Sequence, residues 1–337
     1  MHYRGRLTDH QQAAVRGLLL HDQSVRSISK QLDLSYGQVR GYVEWMEEAE
    51  NDVLDGLIEA PHSPKMLVID IENTPNLSWT WGHWQQNVVG IEKYWWMLSF
   101  AYAWYDLRTD KVGEVGFAGL ADDPAFEPDA YSLYDNDRYI VDRMWSLLDQ
   151  ADIVIGQNSK SFDIKKFNAR AIVHGYTPPS SYQQVDTKRA ASDVGAFGSN
   201  SLKHLATQLG ITLKEENRGF PLWRECMAGE ATAWKEMEVY NKGDVIATAE
   251  LYSRLRPWMN GSQHPNLGLY IASEGMVCTK CGNKERDHGG TGFQYRGNRM
   301  TNASAFKDVR CNKCGGYSRE YRRVPQRSPI SRVDLRP

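Results

Sequence analysis

Two carboxylates, Asp70 and Glu72, stand at the end of the apolar run that starts at Met66. Residues two apart on a strand share a side. Both carboxylates therefore meet at one point, where they repel unless a cation lies between them. Two further acids sit in comparable settings. Asp163 follows the segment Asn158-Ser-Lys-Ser-Phe162, and Asp244 lies four residues after Tyr240. That spacing puts phenol and carboxylate on one helical face. An all-oxygen donor set suits hard divalent cations. Sulfur supplies a second metal chemistry, because Cys278-Thr-Lys-Cys281 and Cys311-Asn-Lys-Cys314 are each followed by glycine and separated by 29 residues. Two such knuckles offer four thiolates to one tetrahedral Zn²⁺. Disulfides are disfavoured in a reducing compartment. His288, inside the intervening loop, is not expected to be a ligand, and Cys226 reads as an ordinary buried thiol.

The elements that must position these residues follow from the pattern of the chain. Met66 to Ile71 is short, β-branched and flanked by Pro64 and Pro75, which predicts a buried strand. Ile153 to Ile155 predicts a second strand, with a turn through Gly156, Asn158 and Ser159 and a helix opening near Asp163. A long helix is expected from about Ala231 to Arg256, carrying Tyr240 and Asp244. Phe100, Tyr102 and Trp104 alternate as on a strand with one aromatic core face, paired through the turn at 106–110 to a strand near 112–118. A helix is expected from about Asp135 to Gln150, then a strand near Tyr182 to Asp186 and a helix from Ser199 or Asn200. Asp186 reads as a strand-end turn residue. The order β-β-β-α-β-α-β-α fits an α/β mixed sheet flanked by helices.

These motifs resemble those of the DEDD, or DnaQ-like, 3′-5′ exonuclease superfamily. Asp70-Ile71-Glu72 matches its first motif, Asn158 through Phe162-Asp163 its second, and Tyr240 through Asp244 its third. Five positions before the last Asp stands Val239 where the DEDDh branch has His, so the chain looks like the DEDDy branch. The resemblance covers about residues 65 to 258. It implies a ribonuclease-H-like fold with two Mg²⁺ or Mn²⁺ ions held by Asp70, Glu72, Asp163 and Asp244, the third of these largely through water. It further implies that Tyr240 bonds the attacking water, that Asn158 and Phe162 contact the terminal nucleotide, and that Thr74 and Leu77 wedge against its base.

Charge and composition divide the rest. Residues 1–48 hold 6 basic and 6 acidic residues, 49–276 hold 20 and 31, and 277–337 hold 14 and 5. Nucleic-acid affinity is thus expected partly from the C-terminal segment. There Lys280, Lys284, Arg286, Arg296, Arg299, Lys307, Arg310 and Lys313 interleave with Phe293 and Tyr295, a mixture suited to single strands. The segment SVRSISKQLDLSYGQVRGYVEWM resembles a helix-turn-helix, which implies Ser35, Tyr36, Gln38 and Arg40 in a major groove. The same segment also suits a protein-docking or purely structural tri-helix. The expected organisation is a small all-α domain at 1–48, a linker at 49–64, the nuclease domain at 65–258, a linker at 259–276, a small zinc ribbon at 277–325 and a basic tail at 326–337. Trp79, Trp81 and Trp84 fall in the loop expected nearest the metals, where stacking on a base suits them. No run approaches the roughly 20 apolar residues of a membrane span, no membrane partner is expected, and the expected compartment is the cytoplasm.

Together these readings anticipate a metal-dependent 3′-5′ exonuclease that releases nucleoside monophosphates, with DNA ahead of RNA as substrate. A polymerase or another replication or repair protein is the expected partner. The alternatives are an RNA-processing enzyme of the same mechanism, a structure-selective endonuclease on the same fold, and a DNA-binding regulator with an inactive nuclease fold.

Overall fold

The structure, a computed structural model, describes residues 7–19, 23–44, 63–82, 84, 87–128, 135–212, 217–271, 275–284, 292–300 and 304–323. The chain divides into two compact units after residue 62. Nearly all of the expected 49–64 linker, the basic tail, Arg286 and His288 lie outside the described residues. Among the described residues, no helix is long and apolar enough to cross a membrane.

The first unit is three short helices: α1 (Asp9–Leu19), α2 (Val25–Gln31) and α3 (36–44). Reciprocal caps start two of them. The Thr8 and Gln11 pair exchanges backbone-to-side-chain hydrogen bonds at 2.9 and 3.3 Å, and Ser35 and Gln38 do so at 3.1 and 3.2 Å. Leu7, Val15, Ile28, Val39 and Tyr42 form the buried centre. Two of the four residues expected to face DNA, Ser35 and Gln38, thus serve the α3 cap, while Arg40 pairs with Glu44 at 2.7 Å and Tyr36 stays exposed.

The second unit is built on a mixed six-stranded sheet in the order β5-β4-β1-β7-β8, with β6 also on β4. The strands are β1 (Met66–Asn73), β4 (Met97–Asp106), β5 (Lys111–Val112), β6 (Gly116–Gly119), β7 (Ile153–Gly156) and β8 (Gln183–Asp186). A small hairpin of β2 (Leu77–Trp79) and β3 (Gly90–Lys93) intervenes. Strand β1 is antiparallel to β4 along its length, and parallel to β7 only from Met66 to Val68. The strand expected over 112–118 is split. Its pairing with β4 slips by one residue between Tyr105↔Val112 and Tyr102↔Gly116, which breaks it at 113–115.

Alternation gives the sheet two cores. Leu67, Ile69, Ile71 and Phe100 face one, with Tyr102 and Trp104 packed against it; Met66, Val68, Ala101 and Ala103 face the other. Helices α4 (Arg138–Leu148), α5 (Asp163–Val173) and α8 (Phe220–Met227) cover the first. Helices α6 (Thr187–Val194) and α7 (Leu202–Leu209) cover the second. Helix α9 (Ala231–Leu255) serves both, since Ala233 to Tyr240 enter the first core and Val245 to Leu255 the second. Cys226 is a free thiol in the first core, and burial pushes it up to about 12.

Asp137 ties three of these elements together. Fully buried, it accepts from the Met97 amide at 2.8 Å, from Arg170 at 2.7 and 2.8 Å, and pairs with His174 at 2.5 Å. Asp137→Ala strands a largely buried guanidinium and is expected to cost about 3–5 kcal/mol. Urea unfolding measures it, and an unchanged midpoint would show that the clamp contributes nothing.

Within the span 259–276, expected as a linker, some of the described residues are buried. Met259 and Leu267 close the second core, and the buried His264 ring, its Nδ1 donating to the Pro265 carbonyl, accepts at Nε2 from the Tyr252 hydroxyl at 2.7 Å. Burial, reinforced by Lys280, pushes His264 down to about 3. Beyond lies a three-stranded antiparallel sheet of β9 (Phe293–Met300), β10 (Ala305–Cys311) and β11 (Tyr317–Arg323), with β10 central. Its Lys313 reaches back to the β4–β5 turn, donating to the carbonyl oxygens of Leu107 at 2.5 Å and Arg108 at 3.3 Å. Lys313 also pairs with Asp110 at 3.4 Å, and Asp110 holds Arg256 at 3.1 Å. Lys280 is buried, so these two lysines are not open cationic surface.

Candidate metal centres

Asp70 and Glu72 continue the face of β1 that carries Met66 and Val68. They lie beyond the last residue of β1 that pairs with β7, where the sheet opens. On that opening the Ile71 amide donates to Asp163 Oδ1 at 3.1 Å. Helix α9 brings Asp244 to the same place, at the changeover between its two cores. Ligand oxygens of Asp70, Glu72 and Asp244 all lie within 4.8 Å of one another. Asp163 lines the same cleft, of about 260 Å³, without joining that tight set. Its carboxyl is 2% exposed. Burial pushes it up to about 7, with nearby Asp186 adding to the rise and the amides of Ile71 and of Asp163 itself opposing it.

The turn between β7 and α5 is shaped to deliver Asn158, Phe162 and Asp163. At Gly156 a Cβ would lie 2.7 Å from the Ser159 Cβ and 3.3 Å from the Ile69 carbonyl, so only glycine allows the approach. Asn158 adopts φ 66°, a left-handed conformation that asparagine tolerates. Asp186 fastens the turn by accepting from the amides of Asn158 and Lys160, each at 3.1 Å, while capping α6 through Arg189 at 3.1 Å. Asn158 and Phe162 both line the cleft.

Three expected site residues are not among those lining the cleft. Thr74 is buried, its hydroxyl accepting from the Trp96 amide at 2.9 Å. Leu77 is exposed on β2 and is not among the residues lining the cleft. Tyr240 is 7% exposed in the first core, edge-on to Trp223 with ring centroids 6.0 Å apart. It stands one helical turn before Asp244 on α9.

One residue was missed. Asn241, fully buried, donates to Asp70 Oδ2 at 2.6 Å and to the Asp70 carbonyl at 3.2 Å. The Ser99 hydroxyl donates to its Oδ1 at 3.2 Å, fixing the orientation of the amide. Its one sequence signal is position, three residues before Asp244 and so on the same face of α9. Gln157, Lys188 and Ser201 also line the cleft, Lys188 bringing a cation to its wall.

The four cysteines form the second centre. Cys278, Cys281, Cys311 and Cys314 have sulfurs within 4.8 Å of one another, with Cys278–Cys314 at 3.7 Å and Cys281–Cys311 at 3.6 Å. Sulfurs bound about 2.3 Å from a tetrahedral zinc lie about 3.8 Å apart. The two knuckles match in detail: Gly282 donates to the Cys278 carbonyl at 3.0 Å and Gly315 to that of Cys311 at 2.9 Å. Both glycines have positive φ, 69° and 76°.

A family model described as the RNase_H superfamily matches residues 98–256. The matched span includes Asp163 and Asp244 and leaves out Asp70, Glu72 and the cysteines. The second unit thus contains a ribonuclease-H-like domain, with a sheet and a zinc-capable cysteine cluster C-terminal to it. Among solved structures, the chain is similar to the family B DNA polymerase of the hyperthermophilic archaeon Pyrobaculum calidifontis. The identity is 17%, over 64% of this chain and 28% of that one, with a TM-score of 0.39. The chain therefore spans little more than a quarter of that polymerase. No curated protein sequence matches it.

Proposed function

We propose that the chain is a metal-dependent 3′-5′ exonuclease of the DEDDy type, which hydrolyses nucleic acid to nucleoside monophosphates. The supporting observation is the convergence of Asp70, Glu72 and Asp244 within 4.8 Å at the open edge of a ribonuclease-H-like sheet. Their oxygen-only chemistry fits Mg²⁺ or Mn²⁺. When bound, two such ions supply Lewis-acid activation of water and offset the charge that develops on the scissile phosphate.

The chain's own groups divide the remaining work. Asp70, Glu72 and Asp244 would hold the cations, with Asp163, set apart on the cleft wall, supporting them. Asn241 keeps the Asp70 carboxylate turned toward its partners. Asn158 and Phe162 receive the terminal nucleotide, and Lys188 attracts its phosphate. In the other centre the four cysteines hold one structural Zn²⁺.

Incubating 5′-labelled single- and double-stranded DNA and RNA with Mg²⁺ or Mn²⁺ tests the reading. The expected result is a ladder receding from the 3′ end, abolished by chelator. The two sugars differ here only by a 2′-hydroxyl, so both belong in the assay. Absence of metal-dependent cleavage on all four substrates would overturn the proposal. Asn241→Leu is expected to weaken Mn²⁺ binding about 10- to 100-fold with the fold intact, the usual loss when a ligand's supporting hydrogen bond is removed. Calorimetric titration of Mn²⁺ measures this, and unchanged affinity would show that Asp70 needs no such support.

A further inference from the structure

The hairpin that follows β1 carries large rings that neither core uses. Trp79 is 64% exposed, Trp81 87% and Trp84 85%, with Tyr94 at 70% just past β3. Exposed apolar surface on this scale marks a contact site. The hairpin is held firmly to the strand that bears Asp70 and Glu72. Thr74 and Trp96 exchange backbone and hydroxyl hydrogen bonds at 2.9 to 3.2 Å, and the Trp95 amide donates to Asn76 at 2.9 Å. Within the hairpin, the Trp79 indole donates to Glu92 at 2.8 Å, which fixes that ring.

A chain of rings also joins the cleft to the hairpin base. Phe162 lines the cleft, the Lys166 ammonium stands 5.6 Å from its ring centroid, and the same ammonium lies 3.5 Å over Trp95. Residues 49–276 carry 20 basic against 31 acidic residues, so this surface offers polyanions little general attraction. Ring faces with the Lys166 ammonium beside them match the base faces of an unpaired strand, and a duplex hides those faces.

We propose that single-stranded nucleic acid, upstream of the 3′ end that Phe162 holds in the cleft, runs over Trp95 and stacks its bases on Trp79, Trp81 and Trp84. Lys166 meets a phosphate on the way. The proposal rests on the nuclease reading of the cleft, and it makes an unpaired 3′ tail the substrate class.

Binding is read in chelator with the full-length Asp70→Ala chain, so that no cleavage intervenes. The ligands are a tetranucleotide and a dodecanucleotide, as DNA and as RNA, and a blunt duplex. The dodecanucleotide is expected to quench tryptophan fluorescence. Adding Trp81→Ala and Trp84→Ala is expected to weaken its binding about tenfold or more, the scale of one or two lost base–ring stacks. Tetranucleotide binding should fall far less. The stronger of the DNA and RNA arms identifies the sugar. Equal dodecanucleotide affinity with and without the tryptophans overturns the proposal, as does a duplex that quenches equally or a loss equal for both lengths. The hairpin would then serve a protein or lipid surface. Failure of cleavage by the unaltered chain would remove the nuclease reading while leaving this binding result separately scored.

Discussion

Asp70→Ala and Asp244→Asn are each expected to reduce cleavage by at least about a thousandfold, more than 4 kcal/mol of barrier. Each removes one of three carboxylates whose oxygens gather within 4.8 Å, leaving too few ligands to hold the ions. The fold should survive, because Asp70 lies at the open end of β1, half-buried, where no apolar packing is lost. Removing Asp244 charge even relieves repulsion in the metal-free chain. Rates on a labelled 3′ tail, with circular dichroism as the control for folding, check both variants. A well-folded Asp70→Ala chain that cleaves at the parent rate would dissociate the cluster from the chemistry.

Elemental analysis of protein purified without chelator is expected to give one zinc per chain. Stripping that ion should remove about 10–16 kcal/mol of apparent binding free energy from the folded state. The spacing alone suggests an independently folding module, which would melt by itself. The structure implies a wider effect. Lys313, between Cys311 and Cys314, bonds the β4–β5 turn and Asp110, and Asp110 holds Arg256 just past α9. Metal loss should therefore lower the melting temperature of the ribonuclease-H-like domain as well. Calorimetry of zinc-loaded and Cys311→Ser chains reads this; unchanged melting of the larger transition would show that the cysteine cluster docks without supporting it.

The carboxylates were legible because strand and helix periodicities are short-range rules, and the cysteines because two identical knuckles are hard to produce by other causes. Asn241 was not legible: its partner Asp70 lies 171 positions away, and an amide in a helix carries no pattern of its own. The hydrogen bond of Thr74 was not legible for the same reason, since its partner Trp96 lies 22 positions on. Segment 259–276 looks like a connector by composition, and only the second core, assembled from distant strands, gives Met259 and Leu267 somewhere to go. Helix α9 changes cores midway, so its apolar residues trace no single stripe. Its length was readable, its double allegiance was not.

That double allegiance has a consequence for the order of synthesis. A chain emerging from its N-terminus completes β1, β4 and β7 well before α9, and ribosomes add about 5–20 residues per second. For several seconds after Asp163 is made, both cores lack the helix they share and the carboxylate cluster lacks Asp244. Under the proposed function, a nascent chain, or one terminated before α9, is inert toward the nucleic acid around it, including the message that encodes it. Activity arrives with the same docking event that seals the interior, so only a finished fold can cut.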